Sequence, residues 1–253
     1  MQNFIITLLI CSVTMSVLGI FYMAVTPLLA ERYSPKGQYY AWLIIIIGLI
    51  IPFRPRFKNP FVKIISTDTT MPAIQLGSGT QLTSPIAPTA ASLPAPASPA
   101  MPLTWWQAAA AIWVTGIVIY LIYHMVKHCR FLKMTKRWSD PITDAEVLRL
   151  FQDIRKEAGI SGKIDLYQCE CAGTPMLTGF IHPRILLPHI DFAADELRFI
   201  LYHELVHYKR KDLWYKSLIL LATAVHWFNP LVYLIAKAIN IQCEISCDSE
   251  VVD

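Results

Sequence analysis

The sequence contains few charged residues. They account for 16% of its 253 residues, whereas hydrophobic residues account for 55%. An average soluble domain has about a quarter charged residues, so this shortage favours a membrane protein. The net charge is only +4, and the basic residues cluster beside apolar segments, which is typical of membrane topology. We therefore expect a lipid bilayer as a partner and no direct binding of nucleic acid.

Cysteine is too rare for a disulfide framework. The chain has 6 cysteines, and small secreted domains that depend on disulfides are much richer in them. Cys169 and Cys171 are separated by one residue, which is too close for an easy mutual bridge. The topology argued below places them in the cytoplasm, where we expect reduced thiols.

Three apolar segments predict membrane-spanning helices. Residues 4–29 carry no charge and exceed the roughly 20 residues that cross a bilayer. A cleaved signal peptide, the alternative, has a basic start and a small-residue cleavage site, and neither pattern is present. Residues 38–53 form a second, short segment and residues 105–126 a third. We assign residues 1–53 to two transmembrane helices and residues 104–127 to the third.

The predicted orientation rests on the loop between the second and third spans. This loop, residues 54–103, is rich in Pro, Ser and Thr, which predicts a flexible extracellular segment. Basic residues favour the cytoplasmic side. Five of them directly follow the third span: Lys127, Arg130, Lys133, Lys136 and Arg137. Four basic residues early in the loop oppose this orientation but are fewer. We therefore predict a multi-pass protein of the cell membrane in which residues 128–253 form a cytoplasmic domain.

From Thr143 onward the sequence predicts a folded α+β domain. Thr143 and Glu146 form a capping box at the start of an amphipathic helix that ends at Gly159. Gly and Pro residues separate three predicted short strands: residues 164–167, 176–180 and 184–187. A second helix begins near residues 191–194 and continues through the stretch YHELVHYKRKD.

The stretch YHELVHYKRKD contains the pattern H-E-x-x-H. His203 and His207 are four residues apart, so both imidazoles lie on one helix face and can bind one metal ion. Zinc accepts histidine nitrogens, and Glu204 can reach a water on that metal as a general base. The alternative interpretation is an ordinary polar helix face. Arg210 and Asp212 are predicted to form a local ion pair at the helix end.

A hydrolytic zinc site needs a third protein ligand and one open position. The stretch CEISCDSE supplies Glu244 as that ligand. Asp248, one helical turn later, would orient a ligand histidine, as metal-bound histidines usually require. Cys243 and Cys247 form a rival pair on a neighbouring face, and a site with cysteine ligands is more often closed and structural. We favour Glu244.

The segment between the motif and Glu244 decides whether this ligand set is feasible. Hydropathy would assign residues 213–239 to a fourth span, which would separate Glu244 from His203 by the width of the membrane. The helix-breaking pair Asn229 and Pro230 offers another path. We predict a helical hairpin that enters the membrane and returns on the same side.

Four stretches, in this order and spacing, resemble one known family: TPMLTGFIHPRILLP, ELRFILYHELVHYKRKDLWYK, HWFNPLVYLI and CEISCD. They are similar to the membrane metallopeptidase domain of the BlaR/MecR antirepressor family, which are bacterial beta-lactam sensor-transducers. The resemblance covers residues 144–253 in detail, and the three preceding spans agree in arrangement. It implies a mainly α membrane protein with three transmembrane helices and an α+β, gluzincin-like zinc metallopeptidase domain. That domain would have a small β-sheet and a membrane-embedded helical hairpin.

The resemblance also implies a cofactor, a site and a substrate. Zn²⁺ would be bound by His203, His207 and Glu244, with Glu204 as the catalytic base. The implied function is a membrane-anchored zinc endopeptidase of a bacterial signalling and antibiotic-resistance system. It would cleave a protein such as a cytoplasmic transcriptional repressor, or itself; a homodimer is left open. The sequence ends 9 residues after Glu244, without a sensor domain, so we expect a truncated protease domain or a member without that sensor.

Zinc peptidases of this general type commonly hold an extended substrate along an edge strand. We assign this role to the strand formed by Arg184, Ile185, Leu186 and Leu187. The alternative is an ordinary strand within the sheet. A donor for the developing oxyanion is also needed, and Tyr215 and His226 are residues of a suitable type.

Two other functions compete with a membrane-anchored peptidase. One is a non-catalytic receptor or scaffold with a structural metal, which would be expected to have four protein ligands. The other is a site-2-type intramembrane protease, whose metal-binding helix lies inside the bilayer. The charged residues that directly follow His207 argue against that second alternative, because burying several charges in lipid is costly.

Overall fold

The structure, a computed structural model, describes residues 2–29, 34–51 and 104–252. The helices in this part are α1 (Gln2–Leu29), α2 (Pro35–Ile50), α3 (Trp105–Arg137), α4 (Ala145–Glu157), α5 (Ala194–Arg210), α6 (Asp212–Val225) and α7 (Pro230–Val252). The strands are β1 (Asp140–Pro141), β2 (Asp165–Gln168), β3 (Met176–Thr178) and β4 (Arg184–Leu187). The described part is mainly helical with one small sheet, as predicted. The predicted flexible loop of residues 54–103 lies outside the described residues.

Two described helices, α1 and α3, are long and apolar enough to cross a membrane. The predicted second span corresponds to α2, which has only 16 residues and is therefore about 24 Å long at 1.5 Å per residue. A hydrocarbon core is about 30 Å thick, so α2 is short for a span. Trp42, Ile46 and Leu49 of α2 are buried against other helices.

The helices α1, α2, α6 and α7 pack around one apolar core, to which α2, α6 and α7 supply the buried side chains. The helices α6 and α7 form the predicted hairpin. At its tip, the side-chain oxygen Oδ1 of Asn229 accepts a hydrogen bond of 3.0 Å from the Leu231 backbone amide. The Asn229 amide donates to the hydroxyl oxygens of Ser12 and Ser16 in α1, each at 2.8 Å. The tip of the hairpin is therefore anchored to the middle of α1.

A second apolar core lies between the sheet and the helices α4 and α5. The strand order is β1-β2-β4-β3, with β2 and β4 parallel and the other two pairs antiparallel. The strand β4 is therefore hydrogen-bonded on both sides, and the prediction that it offers a free edge is wrong. Within the described residues, β3 is the edge strand on that side. The strand β1 was not predicted, because it contains only two residues.

Two helix boundaries differ from those that the sequence suggests. Asp144, one residue after the predicted Thr143, caps α4 by accepting hydrogen bonds from the backbone amides of Glu146 and Val147. The helix α5 ends at Arg210 and is followed by Lys211, whose φ of 59° is left-handed; α6 starts at the next residue. A left-handed residue is usually glycine or asparagine, so the sequence carries no signal for this sharp turn.

Candidate metal centre

The helix α5 lies between the sheet and α7, and its two sides have different roles. Leu197, Leu201 and Leu205 form a buried stripe that packs into the core of the sheet domain. His203 is two residues after Leu201, which places it about 200° around the helix. His203, and His207 one turn later, therefore lie away from the sheet core, on the side where α5 packs against α7.

Three side-chain atoms from α5 and α7 converge at this contact. The Nε2 atoms of His203 and His207 are 3.1 Å apart. The Oε2 atom of Glu244 lies 3.7 Å from Nε2 of His203 and 3.3 Å from Nε2 of His207. The hairpin brings Glu244 to the two histidines, because α7 runs back from the tip and packs against α5.

The triangle formed by these atoms has the dimensions of one face of a tetrahedral zinc site. Zinc binds nitrogen and carboxylate oxygen at about 2.0–2.2 Å, which gives a ligand-to-ligand edge of roughly 3.3–3.5 Å. The three observed edges are close to that range. The residues present therefore fit a zinc ion with three protein ligands and leave its fourth position to the cleft.

The other nitrogen of each histidine faces a carboxylate. His203 Nδ1 lies 3.1 Å from Asp248 Oδ1, and His207 Nδ1 lies 2.7 Å from Asp212 Oδ2. A histidine that donates Nδ1–H to a carboxylate keeps the lone pair of Nε2 free for a metal. Asp248 lies where the sequence predicts it. Asp212 does pair with Arg210, at 3.6 Å, but its contact with His207 was not predicted.

Glu204 is buried, with 7% of its surface exposed, although it lines a cleft of about 350 Å³ with His203, His207 and Glu244. Burial raises the pKa of the Glu204 carboxyl, and the charges of His207 and His203, followed by a hydrogen bond from the Leu177 backbone amide of β3, offset part of that effect. Residues 174–177 form another wall of the cleft. The edge strand β3 therefore borders the same cleft as the predicted base.

The protonation states of the two histidines and of Glu244 depend strongly on one another. Hydrogen bonding with Cys247 and Glu244 raises the pKa of His203 to about 10. Burial alone would lower the pKa of His207, but hydrogen bonds with Asp212 and other acceptors outweigh burial and hold it well above its usual range. The two imidazoles in turn hold the pKa of Glu244 well below its ordinary value. When no metal is bound, these shifts favour a protonated, positively charged imidazole at both His203 and His207 and an ionised carboxylate at Glu244.

The rival cysteines are close to the site. The Cys247 thiol and one nitrogen from each of His203 and His207 lie within 4.8 Å of one another, and Cys243 forms a similar group with His207 and Asp212. Both thiols are fully buried, whereas the Glu244 side chain is 47% exposed. An open catalytic position must be accessible to a substrate, so this difference favours Glu244 as the third ligand.

Tyr215 and His226 do not serve as oxyanion donors in this arrangement. The Tyr215 hydroxyl donates to the Tyr39 backbone carbonyl at 3.3 Å. His226 Nε2 lies 2.9 Å from the Leu49 carbonyl oxygen, at the tip of the hairpin. Lys216, to which the sequence assigned no role in the site, instead reaches it and lies 3.2 Å from Glu244 Oε1.

Comparison with known proteins shows which sequences this chain is similar to. The sequence model of the family described as BlaR1 peptidase M56 matches residues 6–253. The chain is 34% identical over 140 residues to the "Regulatory protein BlaR1" of Bacillus licheniformis, which covers 54% of this chain and 23% of that protein. It is 29% identical over 144 residues to the "Methicillin resistance mecR1 protein" of Staphylococcus aureus and of Staphylococcus epidermidis, which covers 55% of this chain and 24% of each relative.

The family model matches more of this chain than the individual relatives do. The alignments span less than a quarter of the length of each curated relative, so they compare one part of those proteins with this chain. The family model, in contrast, extends over nearly the whole sequence and includes the helices that carry His203, His207 and Glu244. The chain therefore belongs to the BlaR1 peptidase M56 family.

Proposed function

We propose that this protein is a membrane-anchored zinc endopeptidase in which His203, His207 and Glu244 bind the metal. The observation that carries the proposal is the triangle of 3.1, 3.3 and 3.7 Å between their ligand atoms, next to a buried glutamate in an open cleft. Asp248 and Asp212 would fix the orientation of the two imidazoles. Membership of a peptidase family adds independent support.

The chemistry would be hydrolysis of a peptide bond. A zinc ion bound here would act as a Lewis acid and lower the pKa of a water molecule to about 7. Glu204 would accept a proton from that water as its oxygen attacks the carbonyl carbon, and would then deliver the proton to the leaving amine. A raised pKa suits Glu204 to this exchange, because a catalytic acid-base group works best near the operating pH.

The substrate segment would bind as an additional strand along the outer edge of β3. This edge has no partner strand among the described residues, and it borders the cleft that contains Glu204. Strand addition uses backbone hydrogen bonds for affinity and pockets for specificity. Given the family, we propose a regulatory protein such as a cytoplasmic transcriptional repressor, or the chain itself, as substrate.

In the membrane, α1 and α3 would span the bilayer, with α2 as a third, short span and the hairpin tip embedded beside α1. Lys36, at the start of α2, forms an ion pair of 3.4 Å with Glu250 near the end of α7. The start of α2 and the metal-binding end of α7 are thus on one side. With the predicted orientation, this side is cytoplasmic.

A structural metal site is the second candidate, and the position of Cys247 favours it. If the Cys247 thiolate joined the two histidines and Glu244, the site would have four protein ligands and no open position. X-ray absorption spectroscopy of the zinc-bound protein distinguishes the two, because a zinc–sulfur distance of about 2.3 Å appears only with cysteine ligation.

The experiment that tests the peptidase compares Glu204→Gln with the wild-type chain in nanodiscs. We expect about one zinc per chain in both proteins, and loss of peptide cleavage by about 100- to 10,000-fold in the variant, which is the usual contribution of a general base. Glu196→Gln is the matched control, because Glu196 is an exposed glutamate in the first turn of the same helix. Substantial cleavage by Glu204→Gln rejects the assigned base.

A further inference from the structure

The contacts of the metal centre extend beyond the residues that its motif contains. Asp212, whose carboxylate reaches His207, also accepts a hydrogen bond of 2.8 Å from the hydroxyl of Tyr39. Tyr39 belongs to α2 and is 173 residues earlier in the chain. A continuous path therefore runs from the Tyr39 hydroxyl through the two oxygens of Asp212 to His207 Nδ1.

Every member of this path is buried. Tyr39 is 5% exposed, Asp212 is 2% exposed and His207 is 8% exposed. A buried carboxylate is costly unless its oxygens are hydrogen-bonded. Here Oδ1 accepts from Tyr39, and Oδ2 faces His207 at 2.7 Å. Without the tyrosine hydroxyl, Oδ1 would retain only the Arg210 contact at 3.6 Å, and the carboxylate would be free to rotate.

The Tyr39 ring is itself held by contacts with Tyr215 and Arg210. It stacks on Tyr215 of α6 with a centroid distance of 4.4 Å and an interplanar angle of 29°. The Arg210 guanidinium lies 4.2 Å from the ring centroid, which is a cation–π distance. The Tyr215 hydroxyl also donates to the Tyr39 backbone carbonyl. The position of the Tyr39 hydroxyl is therefore set by α2, α5 and α6 together.

We infer that Tyr39 is a positioning residue of the metal centre: its hydroxyl holds the Asp212 carboxylate in the orientation that aims His207 Nε2 at the metal. This inference rests on the proposed function, because it assumes that His207 is a ligand. Groups that orient a metal-bound histidine typically change metal affinity or activity by about 10- to 100-fold when removed. The helix α2 then belongs to the metal centre as well as to the helix bundle.

Tyr39→Phe removes the hydroxyl and keeps the ring with its stacking contacts. We expect zinc affinity, measured by competition with a chromophoric chelator, to fall by about tenfold. With cobalt in place of zinc, we expect the visible absorption bands to change, because these bands report ligand geometry. With zinc saturating, kcat should fall while KM changes little. Tyr40→Phe is the matched control, since Tyr40 is the next residue and is 60% exposed; it should match the wild type.

A double-mutant comparison separates positioning from general packing. If Tyr39 acts through Asp212, then Tyr39→Phe combined with Asp212→Asn should bind zinc no more weakly than Asp212→Asn alone. Additive losses would mean that the hydroxyl acts by another route and would overturn the inference. Wild-type affinity and an unchanged cobalt spectrum in Tyr39→Phe would overturn it too. Thermal unfolding of each variant in nanodiscs shows whether the fold is retained.

The outcome for Glu204→Gln distinguishes failure of the inference from failure of the proposed function. If Glu204→Gln abolishes cleavage but Tyr39→Phe behaves like the wild type, then the peptidase stands and the role of Tyr39 is rejected. If the wild-type chain binds no zinc, then both fall together. Weakened zinc binding in Tyr39→Phe with non-additivity to Asp212→Asn supports the inference.

Discussion

The ammonium group of Lys216 lies 3.2 Å from Glu244 Oε1, so the two open ends of the α6–α7 hairpin meet at the proposed metal ligand. The other carboxylate oxygen, Oε2, faces the two imidazoles. Glu244 is therefore oriented from behind by a cation while it presents one oxygen to the metal position. The Glu244 side chain therefore both links α7 to α6 and presents an oxygen to the metal position.

Substituting Lys216 and substituting Glu244 should change zinc affinity by very different amounts. The two side chains are 44% and 47% exposed, and an exposed ion pair is worth about 0–1 kcal/mol. Lys216→Gln should therefore weaken zinc binding by no more than about fivefold. Glu244→Gln removes a charged ligand and should weaken it by more than about 100-fold. Chelator competition measures both, and Cys247→Ser should resemble the wild type. A large loss in Cys247→Ser with little loss in Glu244→Gln would transfer the ligand role to the thiol.

The raised histidine pKa values predict proton release when zinc binds. Ordinary imidazoles, with a pKa near 6.5, are mostly neutral at pH 7.5. In this site the pKa of His203 is about 10 and that of His207 is also raised, so both imidazoles carry a proton that zinc must displace. Glu244, whose pKa is lowered, contributes none.

We therefore expect the imidazoles to release close to two protons per zinc at pH 7.5, and zinc affinity to keep rising as pH increases above 7.5, because both pKa values are raised. Isothermal titration calorimetry in buffers of different ionisation enthalpy measures the number of protons. Asp248→Asn should leave it nearly unchanged, because the pKa of His203 is raised mainly by hydrogen bonding with Cys247 and Glu244. Release of less than one proton per zinc would show that the two imidazoles are not both protonated before zinc binds.

The hydrogen bonds of Asn229 are expected to contribute measurably to the stability of the protein, because they attach the tip of the hairpin to α1. Asn229→Ala removes two hydrogen bonds to Ser12 and Ser16 and the bond to the Leu231 amide. Interhelical hydrogen bonds in membranes average about 0.6 kcal/mol, and loss of a helix cap costs about 1 kcal/mol. The free energy of unfolding should therefore fall by about 2 kcal/mol in detergent denaturation. Asn240→Ala, at an exposed position of α7, is the control; equal effects would contradict a specific anchor.

Two exposed native cysteines test the predicted orientation. Cys129 near the end of α3 and Cys171 beside the sheet are both exposed. If the peptidase domain is cytoplasmic, a membrane-impermeant maleimide should label neither in intact cells and should label them after permeabilisation. The double variant Cys129→Ser and Cys171→Ser should lose that signal. Labelling of either cysteine in intact cells would reverse the proposed topology.

Local patterns predicted much of this architecture. The separation of four residues between His203 and His207 fixes their common face, and Asn229 with Pro230 lies at the tip of the observed hairpin. Predictions that needed strand pairing were weaker. The segment Arg184–Leu187 does form a strand, but its neighbours in the sheet are β2 and β3, and a short apolar strand gives no local sign of whether it is an edge.

The sequence by itself determined the apolar helices, the H-E-x-x-H face and the break that allows α7 to return, because each depends on residues within a few turns of one another. Only the tertiary structure decided that Asp212 reaches His207 and that Tyr39 of α2 contacts Asp212. Those contacts depend on how α2, α5, α6 and α7 pack, and on an unforeseen left-handed turn at Lys211. Helix packing joins residues that are far apart in the chain, and local periodicity carries no information about such pairs.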